Sequence, residues 1–356
     1  MEFFVEKDEL NRVLGIASRF VPTKTTMQVM ECFLFTVTDE VMITANDTEI
    51  GVNAFVNDAD VKEEGKIAIN AKTLTPIISK LPDGKVHFQT EDETVKITCG
   101  KSKFNLATLN GDNFPDTVNV EGKNNFVIDQ EELSNLISQT IFSTSQNSNN
   151  RIMTGEYLEL SDKLKITALD GHRVAIRTAD IQGDFKAIIP NRTLAEIMKM
   201  PHDGDVNVYL NDTHIVFKYP DTTVISRLID GEPFDTDRIM TTDFNTEVTV
   251  DRKEFQSALE RSLILNPAGD NKPVVLNVGD DLNISMQTTL GSMSESISAE
   301  KKGEDLRIGL NAKFVIDALK AITEDTVTLS FNNEKTPVFI NGEDYKYIVL
   351  PVKLAG

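Results

Sequence analysis

INAKTLTPIISKLPDGKVHF (residues 69–88) recurs twice in altered form, as IPNRTLAEIMKMPHDGDVNVY (189–209) and as LNAKFVIDALKAITEDTVTLSF (310–331). Leu74, Leu194 and Val315 correspond, as do Val86, Val206 and Val327, which sets a period of about 120 residues. In the first copy Leu74, Ile77, Ile78 and Leu81 stand at i, i+3, i+4 and i+7; in the third, Val315, Ala318, Leu319 and Ile322 do the same. That spacing gathers apolar side chains on one helical face. A turn follows each helix. Beyond it Val86 and Phe88, or Val206, Val208 and Leu210, alternate with polar residues as a half-buried strand does.

A second segment repeats at the same period: VEKDELNRVLGIAS from Val5, IDQEELSNLISQTI from Ile128 and VDRKEFQSALERSL from Val250, with Leu10, Leu133 and Phe255 matched. The spacing predicts helices over 5–20, 128–142 and 250–265. Acidic residues crowd each first turn (Asp8, Glu9; Glu131, Glu132; Asp251, Glu254), where the helix dipole favours negative charge. A weaker echo matches Ile43 of ITAND with Ile166 of ITALD and Ile284 of ISMQT. The chain therefore divides into three units of one α+β kind, 1–123, 124–244 and 245–356, each with two helices among short strands. Stacked solenoid repeats have periods of about 20–50 residues, so an acidic stacking scaffold fits less well.

With 40% hydrophobic and 26% charged residues the composition is that of a globular chain. No apolar run reaches the roughly 20 residues of a membrane span. No signal peptide opens the chain, and the expected location is the cytoplasm. Cys32 and Cys99 are isolated and lack metal-ligand spacing, so buried thiols are expected, with no metal and no cofactor.

A net charge of −20 argues at first against nucleic acid. The distribution argues otherwise. Lys72/Lys80, Arg192/Lys199 and Lys313/Lys320 recur at i+7 or i+8 in the three repeated helices, and Arg12/Arg19 repeat the i+7 spacing. Each pair then lies along one solvent face. A basic helical face in an otherwise acidic chain suits a protein that encloses a polyanion and repels it elsewhere.

Enzymatic signals are poor: there is no glycine-rich phosphate loop, HExxH, nucleophile elbow or Cys/His cluster. His87, His172, His202 and His214 are dispersed. An enzyme or ligand-binding protein using the turn Asp170, Gly171, His172 and Arg173 is the alternative reading.

The threefold repeat, ALDGHRVA (168–175), SRLIDGEPFDTDRI (226–239) and the terminal IVLPVKL resemble the bacterial sliding clamps, the beta subunit of DNA polymerase III, over the whole chain. The resemblance implies three tandem DNA-clamp domains in a head-to-tail dimeric ring, with helices lining the channel, antiparallel sheets outside and no catalysis. The partners it implies are encircled double-stranded DNA, a second copy, and the replicative polymerase, the clamp loader and repair or ligase proteins. The proteins would dock through short leucine- and phenylalanine-containing peptides. Lys24 is carried over as a DNA-contacting loop residue, beside Arg12, Lys72, Lys80, Arg192, Lys199, Lys313 and Lys320 from the charge pattern. The peptide groove would comprise Met153, Leu169, Gly171, His172, Arg173, Val174, Phe234, Arg238, Ile239, Asn311, Phe314, Ile348, Val349, Leu350, Pro351, Val352, Lys353 and Leu354. The seam between copies would join Lys96, Lys101, Lys103, Phe104 and Leu106 of one to Ile264, Leu265 and Glu295 of the other. Pro233 and Phe234 stand in reversed order relative to the family, Leu169 replaces a threonine, and Ala355 and Gly356 extend past the usual terminal leucine.

Overall fold

The structure is a computed structural model that describes residues 1–115, 124–146, 149–201, 203–266 and 272–354; His202, Ala355 and Gly356 lie outside them. Six α-helices are described: α1 (Lys7–Ala17), α2 (Ala71–Lys80), α3 (Gln130–Ser138), α4 (Asn191–Ile197), α5 (Arg252–Ile264) and α6 (Ala312–Ala321). Three begin where the sequence supplies a cap: the Asn70, Asp251 and Asn311 side chains accept backbone N–H groups of α2, α5 and α6. The helices expected to start at Val5, Ile128 and Val250 start two residues later. Those three residues are the next-to-last of the preceding strands, with their side chains buried. No described helix is long and apolar enough to cross a membrane.

The chain forms two compact units. The first comprises Met1–Gln130 and Lys199–Leu228, the second Glu131–Met198 and Ile229–Gly356, so the middle repeat contributes to both. The first carries a 13-stranded sheet and the second a 12-stranded one, with antiparallel pairing. Within each unit, two repeats meet strand edge to strand edge. In the first, Ile50–Val56 pairs with Thr222–Arg227, with Ala54 opposite Thr222. In the second, Arg173–Ala179 pairs with Tyr345–Val349, with Arg177 opposite Tyr345.

Helix faces bury as their periodicity requires. Leu74 and Ile78 of α2 and Val315, Ala318 and Leu319 of α6 are at most 1% exposed. At about 25 cal/mol per Å2 of apolar surface, burying each such side chain contributes roughly 1.5–3 kcal/mol.

One core residue breaks the pattern. Glu156 on the strand Gly155–Leu160 is fully buried, and burial pushes its carboxyl well above the usual carboxylate range. Its Oε1 lies 3.1 Å from Thr140 Oγ, while its Oε2 has no partner. The single Thr140 hydroxyl proton is also within reach of the Leu136 and Ile137 carbonyls, at 2.9 and 3.1 Å. A protonated Glu156 donating to Thr140 lets that hydroxyl donate onward to the helix, so the neutral acid satisfies the geometry. Because the folded state keeps a proton that the unfolded chain loses, stability is highest below the ordinary glutamate pKa. It falls as pH rises toward the folded value. Glu156→Gln should flatten that decline, at most about 1.4 kcal/mol per pH unit. It should raise the melting temperature at pH 8 and leave it near the parent's at pH 4. Parallel melting curves at both pH values would refute the assignment.

Candidate nucleic-acid and partner interfaces

Lys72, Lys80, Arg192, Lys199, Lys313 and Lys320 are all exposed, as is Lys24 in the loop after α1. α4 ends at Ile197, so Lys199 lies in the turn after the helix rather than on its face. Pro201 accounts for the early stop, since the residue before a proline avoids helical geometry. Lys320 sits 3.6 Å from Glu260 across the α5–α6 pair.

Arg12 is placed differently. Its guanidinium contacts both Glu9 carboxylate oxygens at 2.8 Å and Asp221 Oδ2 at 2.7 Å. Glu9 also accepts the Asn57 N–H at 2.8 Å, and its carboxyl is held below the usual range, first by Arg12. Arg12 thereby fastens α1 to the strand joint of the first unit. Nothing in the local spacing marks it, because Asp221 is distant in sequence.

In the second unit Gly171 (φ +87°) makes the turn that a Cβ would strain. Asp170 Oδ1 accepts the backbone N–H groups of His172 and Arg173 at 2.9 and 3.1 Å. The Asp170 carboxylate therefore holds the turn and Arg173, with no bond to the imidazole, so the turn carries no acid–base pair. Arg173 is 9% exposed. It binds Asp170 at 3.0 Å, Asp317 of α6 at 2.7 Å and the Phe142 carbonyl, and its guanidinium lies 4.4 Å from the Phe314 ring centroid. Expected beside an open groove, it is a buried tie between the turn and α6.

The tail closes over the same turn. The Leu350 N–H donates to the His172 carbonyl at 2.9 Å, and the Val352 N–H to the Gly309 carbonyl at 2.8 Å. A Cβ at Gly309 would fall 2.5 Å from Leu354 Cδ2, so the absent side chain is what lets the tail lie there. Val352 and Leu354 are half-buried on their own domain, whereas Leu350 and Lys353 are exposed. Ile348 and Val349 are buried in the last strand, and Asn311 is the α6 cap. Val174 and Ile348 form an apolar cluster covered by Leu169, Ile239, Met240 and Phe244. Arg238 is exposed and pairs with Asp235 at 2.9 Å.

Beside that cluster Met153, Leu169 and Phe234 line a cleft of about 330 Å3 together with Ile152, Gly155, Tyr157, Thr167, Ile188 and Pro233. The sequence reading missed these six. In GEYLEL and LKITAL the buried apolar residues Leu158, Leu160, Leu164, Ile166 and Ala168 share one phase, and Tyr157, Thr167 and Leu169 of the cleft lie on the other, which reads as an ordinary outer face.

The strand Ser102–Asn110 pairs over 102–107 only with Thr94–Cys99, and over 108–110 with Gly65–Asn70. One backbone edge of 102–107 is thus unpaired among the described residues, and Phe104 on it is 37% exposed. Lys101 and Lys103 are exposed, Leu106 is half-buried, and Lys96 lies 3.7 Å from Glu91. Ser292–Gly303 behaves alike: 292–298 pairs only with Asp281–Gln287, and 299–303 with Thr246–Asp251. Glu295 on that edge accepts hydrogen bonds from two of the Arg261 guanidinium nitrogens, Nε and Nη2, which lower its pKa. Ile264 is 77% exposed and Leu265 half-buried.

Family models match the chain in three consecutive blocks, the N-terminal, central and C-terminal domains of the DNA polymerase III beta subunit, at residues 1–119, 127–234 and 237–353. The chain belongs to the DNA polymerase III beta subunit family. It is 30% identical to the beta sliding clamp of Bacillus subtilis, over 99% of this chain and all of that one. A crystal structure of a putative beta subunit from Eubacterium rectale superposes with a TM-score of 0.96 at 38% identity, covering 99% of this chain and 100% of the other. The Bacillus subtilis clamp structure gives 0.96 at 28%, with full coverage of both. The function is that of the family, a processivity clamp of DNA polymerase III that catalyses nothing, built from three tandem clamp domains.

Proposed function

We propose that two copies, each divided at 123/124 and 244/245, close head to tail into a cytoplasmic ring that encircles duplex DNA. The observation that carries this is the pair of unpaired half-strands, 102–107 and 292–298. Inside the chain the repeats join twice by one rule, Ala54 opposite Thr222 and Arg177 opposite Tyr345. Ala54 and Arg177 are themselves opposite the matched residues Ile43 and Ile166, and Glu295 is opposite their counterpart Ile284. Gly111 and Gly231 align the repeats so that Ser102 corresponds to Thr222. The same rule applied a third time sets Glu295 opposite Ser102 of a second copy, flanked by its Lys101 and Lys103. Unpaired edges of this kind take up a partner strand.

Sequence-independent contacts between exposed lysines and phosphates are weak unless the ring closes. The chain, loaded on nicked circular DNA, should stay bound and should run off once the circle is linearised. Equal retention on both forms overturns the ring. Reversing Lys72, Lys199 and Lys320 to Glu should cut retention at least tenfold. It should also lower the slope of log affinity against log salt by about 0.9 for each phosphate left without its lysine. Unchanged retention removes these residues from the channel.

The groove around His172, Phe314 and the tail would take short peptides ending in leucine and phenylalanine. Polymerase, clamp loader and repair or ligase proteins would bear them in turn, with affinity around micromolar, roughly −8 kcal/mol.

A further inference from the structure

We propose that Met293 is an oxidation site of the seam: hydrogen peroxide converts its thioether to the sulfoxide while the ring stands open, and the sulfoxide then weakens closure. The proposal rests on the head-to-tail ring inferred above. With Glu295 opposite Ser102 of a second copy, the same antiparallel register sets Met293 opposite Phe104. Both lie on the core side of their strands, Met293 opposite the buried Met286 in its own hairpin and Phe104 opposite the buried Ile97. The two joints inside the chain show what becomes of this position. Two residues on from Thr222 and Tyr345, Val224 faces Val52 at one joint and Tyr347 faces Ala175 at the other, and all four are at most 1% exposed. At the seam the equivalent pair is open in the single chain, with Phe104 37% exposed and Met293 half-buried. Closing the ring therefore seals a thioether against an aromatic ring, a favourable contact.

The chemistry singles out this joint. Valine, alanine and tyrosine at the inner joints offer peroxide no thioether. The seam, the joint that has to open to admit a circular duplex, holds one. A lone pair on the Met293 sulfur attacks one peroxide oxygen, the O–O bond breaks, and the other oxygen leaves with both hydrogens as water. Sulfur is oxidised by two electrons and peroxide is reduced. The product carries a strong hydrogen-bond acceptor where Phe104 offers no donor, so reclosing would bury it unpaired. Met286, 2% exposed, is sealed by its own domain, and Met27, 45% exposed, is open to water.

The test treats the full chain with dilute hydrogen peroxide and follows each methionine by peptide mass. Met293 should oxidise at least tenfold more slowly in the dimeric parent than in the open chain carrying Ile264→Asp and Leu265→Asp. Met27 should oxidise quickly and Met286 slowly in both. The parent oxidised at Met293 should have a dimer dissociation constant about tenfold to a hundredfold above that of the untreated parent. In Met293→Leu the constant should be the same before and after peroxide. Equal Met293 rates in the two chains, an oxidised parent that dimerises as before, or a Met293→Leu chain that peroxide weakens as much as the parent each overturns the proposal. An untreated parent that is monomeric overturns the ring reading itself, which keeps the two failures distinguishable.

Discussion

A chain carrying Ile264→Asp and Leu265→Asp should sediment as a monomer at concentrations where the parent forms the proposed dimer. Ile264 is 77% exposed on the face of α5 opposite the fully buried stripe Phe255, Ala258, Leu259 and Ser262. With the half-buried Leu265 beside it at the end of the helix, it is the aliphatic surface that the proposed seam would cover. Covering it and Leu265 contributes about 1.5–3 kcal/mol each, and aspartate adds the cost of burying charge. The dimer should weaken by about two to four orders of magnitude. Ile264→Asp alone separates seam from fold, since an exposed position leaves the melting temperature unchanged. The register has its own check. Lys103→Cys with Ser294→Cys puts two thiols opposite each other across the seam, where antiparallel partners bring Cβ atoms to about 4.5–5.5 Å. Oxidation should then give covalent dimers, and a shifted register gives none. A double aspartate chain that still sediments as a dimer excludes this seam.

The repeats and the helix faces were legible because each rests on local periodicity, whereas the edge at Phe104 was reached through the resemblance. Leu74, Ile78, Val315 and Leu319 lie where the i, i+3, i+4 pattern sets them. Lys72, Lys80, Lys313 and Lys320 were legible for the same reason, being the other face of α2 and α6, whereas Lys199 lies past the end of α4. What the pattern does not carry is partner choice over long separations. Arg12 and Arg173 look alike in sequence, basic residues beside an apolar stripe or a turn. Yet Asp221 engages one and Asp317 the other, so neither stands as an open contact surface. The split of the middle repeat between two compact units is equally invisible, since it follows from which strand edges pair. Alternation puts Glu156 on the face of Leu158 and Leu160, opposite Glu159, but nothing in GEYLEL shows that this acid is fully buried. Its partner there, Thr140, comes from the turn after α3 and is not marked by the strand's own pattern.

Removing residues 352–356 should abolish peptide binding while leaving the dimer intact. The cut is chosen by the hydrogen bonds. It spares the last strand, Tyr345–Val349, and the bond from Leu350 to His172, so the domain 3 sheet keeps its edge. It removes Val352, held to Gly309 at 2.8 Å, and Leu354, seated where Gly309 lacks a side chain. Those two half-buried residues would be one apolar wall of the proposed groove, with His172 and Phe314, whose rings are 6.2 Å apart, as another part of it. Removing two aliphatic side chains at about 1.5–3 kcal/mol each takes an affinity of roughly −8 kcal/mol to the millimolar range or beyond, out of reach of calorimetry. The seam is untouched, because the edge 102–107 and Ile264 contribute nothing to the tail, so sedimentation should be that of the parent. Gly309→Val gives the same result by another route, expelling Leu354 with the tail still present. Peptide affinity that survives both changes would mean that the tail only covers its own domain.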